Sequence, residues 1–357
     1  GVAVRHVGTD GTYAEALEDL ARELGPLQLM RPAERELRAE LAPLVEAGRL
    51  EVVPHEGWLT TTEQFEASAG AEPPWRMDAF YRLVRKETGL LMEDGKPAGG
   101  AWSHDAANRE PWKGEPPAPE PPRFRPDDVT KEVVALVEDA FADHPGTVDA
   151  THLPATAANA ARMWRWAKRA CLEHFGPYED AMSERSRGLF HTRIAPLLNL
   201  HRLLPARVVR EAANLDAPIE SREGFVRQIL GWREFVRHVH EATDGFRELP
   251  GGTSPSYLDA HEPLPPAYWG EPSGLRCLDH VVEGVWAEGY SHHITRLMVL
   301  SNLATLLDVE PRELTGWFWV AYTDAYDWVV EPNVLGMGTF ALGDVMTTKP
   351  YVSGAAY

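Results

Sequence analysis

The chain has 357 residues, and its composition predicts a soluble globular protein with an ample hydrophobic core. Hydrophobic residues make up 44%, charged residues 25%, and the mean hydropathy is −0.33. No apolar run approaches the roughly 20 residues that cross a bilayer, and the first ten residues do not resemble a signal peptide. We therefore expect a cytoplasmic protein with no membrane partner. The net charge of −19, taken alone, argues against nucleic acid as a partner.

The charge is unevenly distributed along the chain. Residues 151–240 carry a net charge of +5, whereas residues 1–150 carry −13 and residues 241–357 carry −11. The basic segment is either a set of solvated helix faces that balance nearby acids or a face that serves a phosphate-bearing ligand. The sequence leaves both interpretations open.

The first 60 residues predict alternating strands and helices, and hence a small parallel sheet. Strands are expected at residues 2–7, 27–30 and 50–54, with helices over 13–24 and from residue 32 onward. Three strands are fewer than a doubly wound sheet usually has. We therefore predict an incomplete, Rossmann-like α/β domain over residues 1–93.

The rest of the chain predicts a connector followed by an all-α domain. Residues 94–128 are rich in Pro and Gly and lack a clear period, which is typical of a semi-rigid extended linker. Residues 129–357 show helical spacing almost throughout. Eight of the twelve tryptophans fall in this part, and most are interpreted as core. Aromatic rings also suit a flat redox cofactor, which is the alternative interpretation. Helices are predicted over residues 129–142, 156–175, 205–215, 223–240, 275–307 and 311–319.

Residues 223–235 form the densest candidate site segment. On a helix, Gln228 and Arg233 can donate hydrogen bonds to an anionic or amide-bearing ligand, and Trp232 shares a face with apolar neighbours. A generic amphipathic helix rarely places Gly, Trp, Arg and Glu in direct succession. We therefore favour a ligand-binding role for this segment.

A second candidate segment begins at Thr192 and Arg193, which precede an apolar helical run. A hydroxyl, a guanidinium and backbone N–H groups at a helix start suit a phosphate. Alone, this signal is weak.

The adjacent histidines His292 and His293 form a third candidate. On a helix they point about 100° apart, so they do not readily chelate one metal ion. One histidine facing a cavity could act as a general acid near neutral pH. The alternative is a hydrogen-bonded core histidine beside an exposed one.

The fourth candidate segment begins at Asp324, which lies in an otherwise apolar stretch and needs a partner if it is buried. Arg296 is the expected partner. Asn333 follows Pro332 and precedes Gly336, so it belongs to a tight turn that could present an amide to a ring.

These four segments, with residues 97–109, resemble the cryptochrome/photolyase superfamily. The similarity is greatest to its prokaryotic iron–sulfur branch of (6-4) photolyase-related proteins. The chain has GGAWSHDAANR from residue 99, EGFVRQILGWRE from 223, HHITRLM from 292, DAYDWVVEPNVLGM from 324 and TKPY from 348. The resemblance covers residues 1–357 and is strongest from residue 75 onward.

The resemblance implies an α/β antenna domain, with a lumazine-type pigment as a possible chromophore, followed by an all-α domain that binds FAD. Light would drive electron transfer from reduced flavin to a (6-4) photoproduct in UV-damaged DNA. The implied roles are flavin phosphate binding for Thr192 and Arg193, the cofactor pocket for Gln228, Trp232 and Arg233, the isoalloxazine for Arg296, Asp324 and Asn333, proton donation to the lesion for His293 beside His292, and electron transfer for Trp269 and Trp317.

The chain also departs from the family pattern. Phe318 stands where a redox-active tyrosine is usual, so electron hopping beyond Trp317 is expected to be impaired. Cys277 matches the first of four cluster cysteines, but Cys171 is the only other cysteine, so a [4Fe–4S] cluster cannot be completed. The other cluster positions and the opening strand of the family are expected outside residues 1–357, which suggests a fragment or lost ends.

Two alternatives to DNA repair remain open. A cryptochrome-like photoreceptor would bind FAD and signal to a protein partner, and the acidic net charge and Phe318 favour it modestly. A cofactor-free remnant is the third possibility. We expect a monomer in each case.

Overall fold

The computed structural model describes residues 3–247 and 256–354. Contacts within the chain divide it into two compact units, residues 1–58 and residues 59–357. None of the helices formed by the described residues is long and apolar enough to span a membrane.

The first unit alternates helices with two parallel strands. Its elements are α1 (Tyr13–Leu24), β1 (Leu27–Met30), α2 (Arg35–Glu46) and β2 (Leu50–Val53). Thr12 and Glu15 form a reciprocal capping box that starts α1. Leu27 lies opposite Leu50 in the strand register, and Leu50 packs with Leu41 of α2 in a small core.

The predicted strand at residues 2–7 is wrong for its described part. Residues 3–7 form no strand and are exposed to solvent. Alternating apolar residues become a strand only when a neighbouring strand and a packed face stabilise them. The parallel sheet of the described residues has two strands rather than three. The α/β alternation is therefore present, but a Rossmann-like antenna domain is not established.

The second unit is mostly helical, with one short antiparallel pair. Its α-helices and strands are α3 (Thr62–Ala69), α4 (Met77–Thr88), β3 (Met92–Glu93), β4 (Lys96–Pro97), α5 (Asp128–Ala140), α6 (Ala157–Trp166), α7 (Ala195–Asn199), α8 (Pro205–Ala213), α9 (Ile219–Val226), α10 (Glu234–Ala242), α11 (Arg276–Glu288), α12 (His293–Thr295), α13 (Asn302–Leu306), α14 (Pro311–Ala321) and α15 (Asp327–Glu331). In the described residues, α6, α9, α12 and α15 are continued by π-helical stretches at Ala167–Cys171, Arg227–Arg233, Arg296–Ser301 and Pro332–Gly338, respectively.

The division between the units differs from the domain boundary predicted at residue 93. Helices α3 and α4 pack in the helical unit, where Phe65 stacks on His238 at 5.2 Å and contacts Phe235 at 6.0 Å. The predicted linker lies against this unit as well. The Phe124 side chain is buried, and the backbone N–H of Phe124 donates a hydrogen bond to the Thr151 carbonyl at 2.7 Å. Packing with later helices, which a linear pattern does not show, fixes these limits.

The long helix predicted over residues 275–307 is interrupted. Helix α11 ends at Glu288 and is capped by Gly289, which has φ +58°, and the chain resumes a helical path at His293. A Cβ atom at Gly289 would lie 2.7 Å from the Thr323 Cγ2 atom. This glycine turns the chain and leaves His292 in extended conformation directly before α12.

Candidate functional site

A bidentate ion pair between Arg296 and Asp324 anchors the candidate site. The Arg296 Nη1 and Nη2 atoms each lie 3.0 Å from an oxygen of Asp324, as the sequence predicted for this pair. Arg296 Nε donates to the Ser291 carbonyl at 2.9 Å, and the guanidinium lies 4.1 Å from the Tyr322 ring centroid. Burial is the largest influence and opposes the charged form, but Asp324, Tyr322 and Tyr290 together raise the pKa of Arg296 above its ordinary value. Arg296 therefore stays charged in the fold.

Three histidines lie beside this pair. His191 and His292 stack face to face with ring centroids 4.5 Å apart and planes within 4° of parallel. His293 meets His191 edge-on at 5.3 Å. His292 is buried, whereas the side chain of His293 is 41% exposed. One of the two sequence-predicted histidines is thus interior and the other reaches solvent.

Burial keeps the stacked rings neutral. It lowers the pKa of His292 to about 3, with further lowering by His293 and Arg296, and it lowers the pKa of His191 well below its ordinary value. His191 Nε2 and His292 Nδ1 are buried without a hydrogen-bond partner in the described part of the chain. Buried polar atoms normally find partners. These two nitrogens therefore suit a ligand that both donates and accepts hydrogen bonds.

Asp180 and Glu179, which sequence reasoning missed, complete the histidine side of the site. Asp180 Oδ1 lies 3.4 Å from His293 Nε2. Glu179 is buried and accepts a hydrogen bond from the Gln228 amide, and its Oε2 lies 3.5 Å from the Arg227 guanidinium. Burial raises the pKa of Glu179, and Arg227 partly offsets that rise. The sequence signal for these acids is weak, because adjacent acids more often lie at the surface.

Gly224 in the EGF part of the motif has a packing reason. A Cβ atom at this position would lie 2.9 Å from both Asn108 Nδ2 and Glu179 Oε2. Asn108 also hydrogen-bonds Glu179. The glycine lets α9 approach this buried polar cluster closely.

Arg193 lies near the histidines, but its charge already has a partner. Arg193 forms an ion pair with Glu288, and its guanidinium lies 4.3 Å from the Tyr290 ring centroid. Burial is the largest influence and opposes ionisation of Glu288, but Arg193 and Arg187 together lower the pKa of that carboxyl. Thr192 is buried beside it. A phosphate bound here would have to share Arg193 with Glu288.

The structure shows contacts of Trp232, Arg233 and Asn333 that lie outside the histidine cluster and the Arg296–Asp324 pair. Trp232 meets Phe235 edge-on at 6.1 Å, and Arg233 lies 5.2 Å from the Trp328 ring centroid. Burial lowers the pKa of Arg233 to about 10. The Asn333 amide donates to a carbonyl one turn earlier at 2.7 Å. The predicted site residues that the structure brings together are therefore Gln228, Arg193, His292, His293, Arg296 and Asp324. The observed contacts of Trp232, Arg233 and Asn333 are separate from this group.

An aromatic series joins the surface to the Arg296–Asp324 pair. Trp269, which is 48% exposed, stacks on Trp286 at 5.7 Å. Trp286 meets Trp317 at 6.2 Å, and Trp317 meets Tyr322 at 5.9 Å. Sequence reasoning named Trp269 and Trp317 but missed the two rings that connect them onward. The helical spacing of Trp286 within α11 is also that of a core residue, so it gave no separate signal.

Phe318 does not end this series. It stacks on Tyr322 at 5.2 Å with planes 18° apart, and Tyr322 lies within contact of Trp317 directly. A tyrosine is thus present beside Trp317 from a different sequence position. The impairment expected from Phe318 remains a prediction.

The residues present do not fit an iron–sulfur cluster. Cys277 is exposed on α11 and Cys171 is buried. Among the described residues, no group of three or more His, Cys, Asp or Glu side chains could hold a metal ion.

The chain is similar to photolyases in sequence and in fold, and it belongs to the cryptochrome/photolyase superfamily. It is 32% identical to a (6-4) photolyase of Agrobacterium fabrum, over the whole chain and 72% of that relative. Residues 1–153 match the model of the family described as "Deoxyribodipyrimidine photo-lyase-related protein". The structure of a bacterial class III photolyase from Agrobacterium tumefaciens shares the fold. Its TM-score is 0.60 at 17% identity, over 93% of this chain and 66% of that one.

Proposed function

We propose that this chain binds FAD and repairs the pyrimidine–pyrimidone (6-4) photoproduct in UV-damaged DNA with light. The kinship to a (6-4) photolyase supports the reaction class. The observation that carries the proposal is the arrangement of the two adjacent histidines. His292 is buried and neutral, whereas His293 reaches solvent with Asp180 beside it.

Several residues of the site fit a flavin. The unpartnered nitrogens of His191 and His292 suit the mixed donors and acceptors of such a ligand. The Arg296–Asp324 pair presents a fixed dipole next to them. When bound, the flavin supplies one-electron chemistry that blue light makes accessible. Thr192, Arg193, Gln228, Trp232, Arg233 and Asn333 are the further residues we propose for holding it.

His293 is the proposed proton donor. A pKa of about 3 leaves His292 without a proton to give near pH 7, so the donor role falls to His293. Asp180 lies close enough to orient the His293 ring through Nε2. The stacked pair of His191 and His292 packs behind His293 and restricts the positions it can occupy. Neither the orientation of His293 by Asp180 nor its packing against His191 and His292 requires a bound flavin.

The experiment compares His293→Ala with His261→Ala, which replaces a histidine that is 74% exposed. Purified protein reconstituted with FAD is illuminated with an oligonucleotide that carries one (6-4) photoproduct. We expect light-dependent repair by the unmodified chain and by His261→Ala, and a loss of roughly 100-fold or more in His293→Ala. Flavin content, read from the visible spectrum, should be equal in all three.

Other outcomes separate the alternatives. Flavin binding and photoreduction without repair by the unmodified chain would contradict the proposal and favour a photoreceptor. Failure to bind FAD would contradict it as well and favour a cofactor-free protein. Equal repair by His293→Ala and His261→Ala would remove His293 from the mechanism.

A further inference from the structure

An open groove of about 480 Å³ lies at the surface end of the aromatic series, within the second unit. The rings of Trp269 and Trp286 form one wall. Pro145 and Pro272 contribute rigid apolar surface to it. Gly146 has φ +98°, and a Cβ atom there would lie 3.2 Å from the Trp286 carbonyl oxygen. The loop can therefore lie close over the tryptophan pair, and the groove has the size of a small-molecule site.

The polar part of the groove is acidic. Glu271, Asp279 and Glu283 line it, and none of its described lining residues is a lysine or arginine. Ser273 donates its backbone N–H to Asp279 at 2.9 Å. Hydrogen bonds from Ser273 lower the pKa of Asp279, so this carboxylate is ionised near neutral pH.

The cations near the lining carboxylates are shared with other acids, since Arg276, which lies beside Asp279 and Glu283 in the adjoining cavity, pairs with Glu184. Arg187 Nη2 is 3.4 Å from Glu283, and Arg187 Nη1 is 3.2 Å from Glu288. The Glu283 side chain is 72% exposed and lines the groove, so its pair with Arg187 is open to solvent. Within the described residues, neither Glu271 nor Asp279 forms an ion pair, and both line the groove beside Trp269.

We propose that this groove binds a planar aromatic cation, which stacks on Trp269 and directs its positive charge toward Glu271, Asp279 and Glu283. A tryptophan face attracts cations through its ring quadrupole, and stacking removes apolar surface of both rings from water. A planar anion of equal size would gain the stacking but would meet the three carboxylates. A preference for the cation over the anion therefore distinguishes this groove from an uncharged apolar surface. The proposal does not depend on the flavin.

The test uses isothermal titration calorimetry of the whole chain with 1-methylquinolinium and with naphthalene-2-sulfonate. These probes are two-ring aromatics of opposite charge. We expect the cation to bind at least tenfold more tightly than the anion. Trp269→Ala should weaken cation binding about tenfold, and Glu283→Gln should weaken it about threefold. Trp319→Ala is the matched control, because Trp319 is 43% exposed on α14 and does not line the groove.

The outcomes are distinguishable even if a variant unfolds. Circular dichroism checks the fold of Trp269→Ala. Glu283→Gln and the comparison of the two probes test the electrostatic contribution to binding independently of Trp269→Ala. Equal affinities for cation and anion would overturn the proposal. It would also be overturned if Trp269→Ala and Glu283→Gln both bound the cation with the same affinity as Trp319→Ala.

Discussion

His292 and His293 are consecutive in the chain and occupy opposite environments. The break at Gly289 places His292 in an extended conformation before α12, from which its ring enters the interior and stacks on His191. His293 begins the helix and remains partly exposed beside Asp180. The sequence predicts that two such histidines differ, because adjacent residues on a helix face different directions. It does not predict which is buried, since that depends on His191, about 100 residues earlier.

The buried, neutral state of His292 makes stability depend on pH. Its pKa is about 3 in the fold and near 6.5 in the unfolded chain, so between these values the unfolded chain binds the extra proton. Stability should therefore fall as the pH decreases through this window, by about 1.4 kcal/mol per pH unit for this histidine. Burial disfavours its protonation most, followed by His293, Arg296 and Arg193, and the ring of His191 stacks on it.

The corresponding measurement is urea unfolding at several values between pH 6.0 and 4.5. In His292→Gln, the slope of the unfolding free energy against pH should become shallower by about 1.4 kcal/mol per pH unit. His144→Gln replaces a histidine that is 63% exposed and should leave the slope unchanged. An unchanged slope in His292→Gln would show that this histidine also takes up a proton in the folded chain.

At the scale of elements, the sequence predicts most of the helices and few of their interactions. The helical spacing at residues 205–215 and 311–319 matches α8 and α14, because each has a clear apolar face. The predicted pairing of Arg296 with Asp324 is observed, because a lone acid in an apolar stretch needs a cation. The connecting rings of the aromatic series were missed, because core packing and electron transfer require the same residue types at the same spacing.

Two helical glycines give opposite predictions at this scale. Gly224→Ala places a Cβ atom 2.9 Å from buried atoms of Asn108 and Glu179, so it should lower the unfolding free energy by about 1–3 kcal/mol. Gly316 lies inside α14 with nothing within 4 Å of its Cβ position. Gly316→Ala should raise the unfolding free energy by up to about 1 kcal/mol, because alanine favours the helix. Urea denaturation measures both, and shifts in the same direction would contradict the packing argument.

At the scale of the whole molecule, the net charge of −19 is a poor guide to the basic segment at residues 151–240. Part of its positive charge is internal, since Arg227 and Arg237 are buried beside carboxylates. Another part lies on α6, its π-helical continuation and α8. Glu211 of α8 links these elements by accepting hydrogen bonds from Trp164 at 2.8 Å and Lys168 at 2.5 Å. Exposed arginines lie on these same elements. The net charge of a segment thus counts buried, paired cations together with exposed cations that can bind a phosphate.

The exposed cations supply the last prediction, which rests on the proposed DNA substrate. Arg165 and Arg169 are exposed on α6 and its continuation. If they contact phosphates, Arg165→Gln with Arg169→Gln should weaken binding of a duplex that carries a (6-4) photoproduct. The slope of log K against log salt should become shallower by up to about 1.8, at about 0.9 for each lost contact. Fluorescence anisotropy between 50 and 200 mM salt measures this slope, with Arg276→Gln and Arg312→Gln, which are also exposed, as the charge-matched control. Equal slopes in the two double variants would assign the exposed charge of residues 151–240 to solvation rather than to DNA.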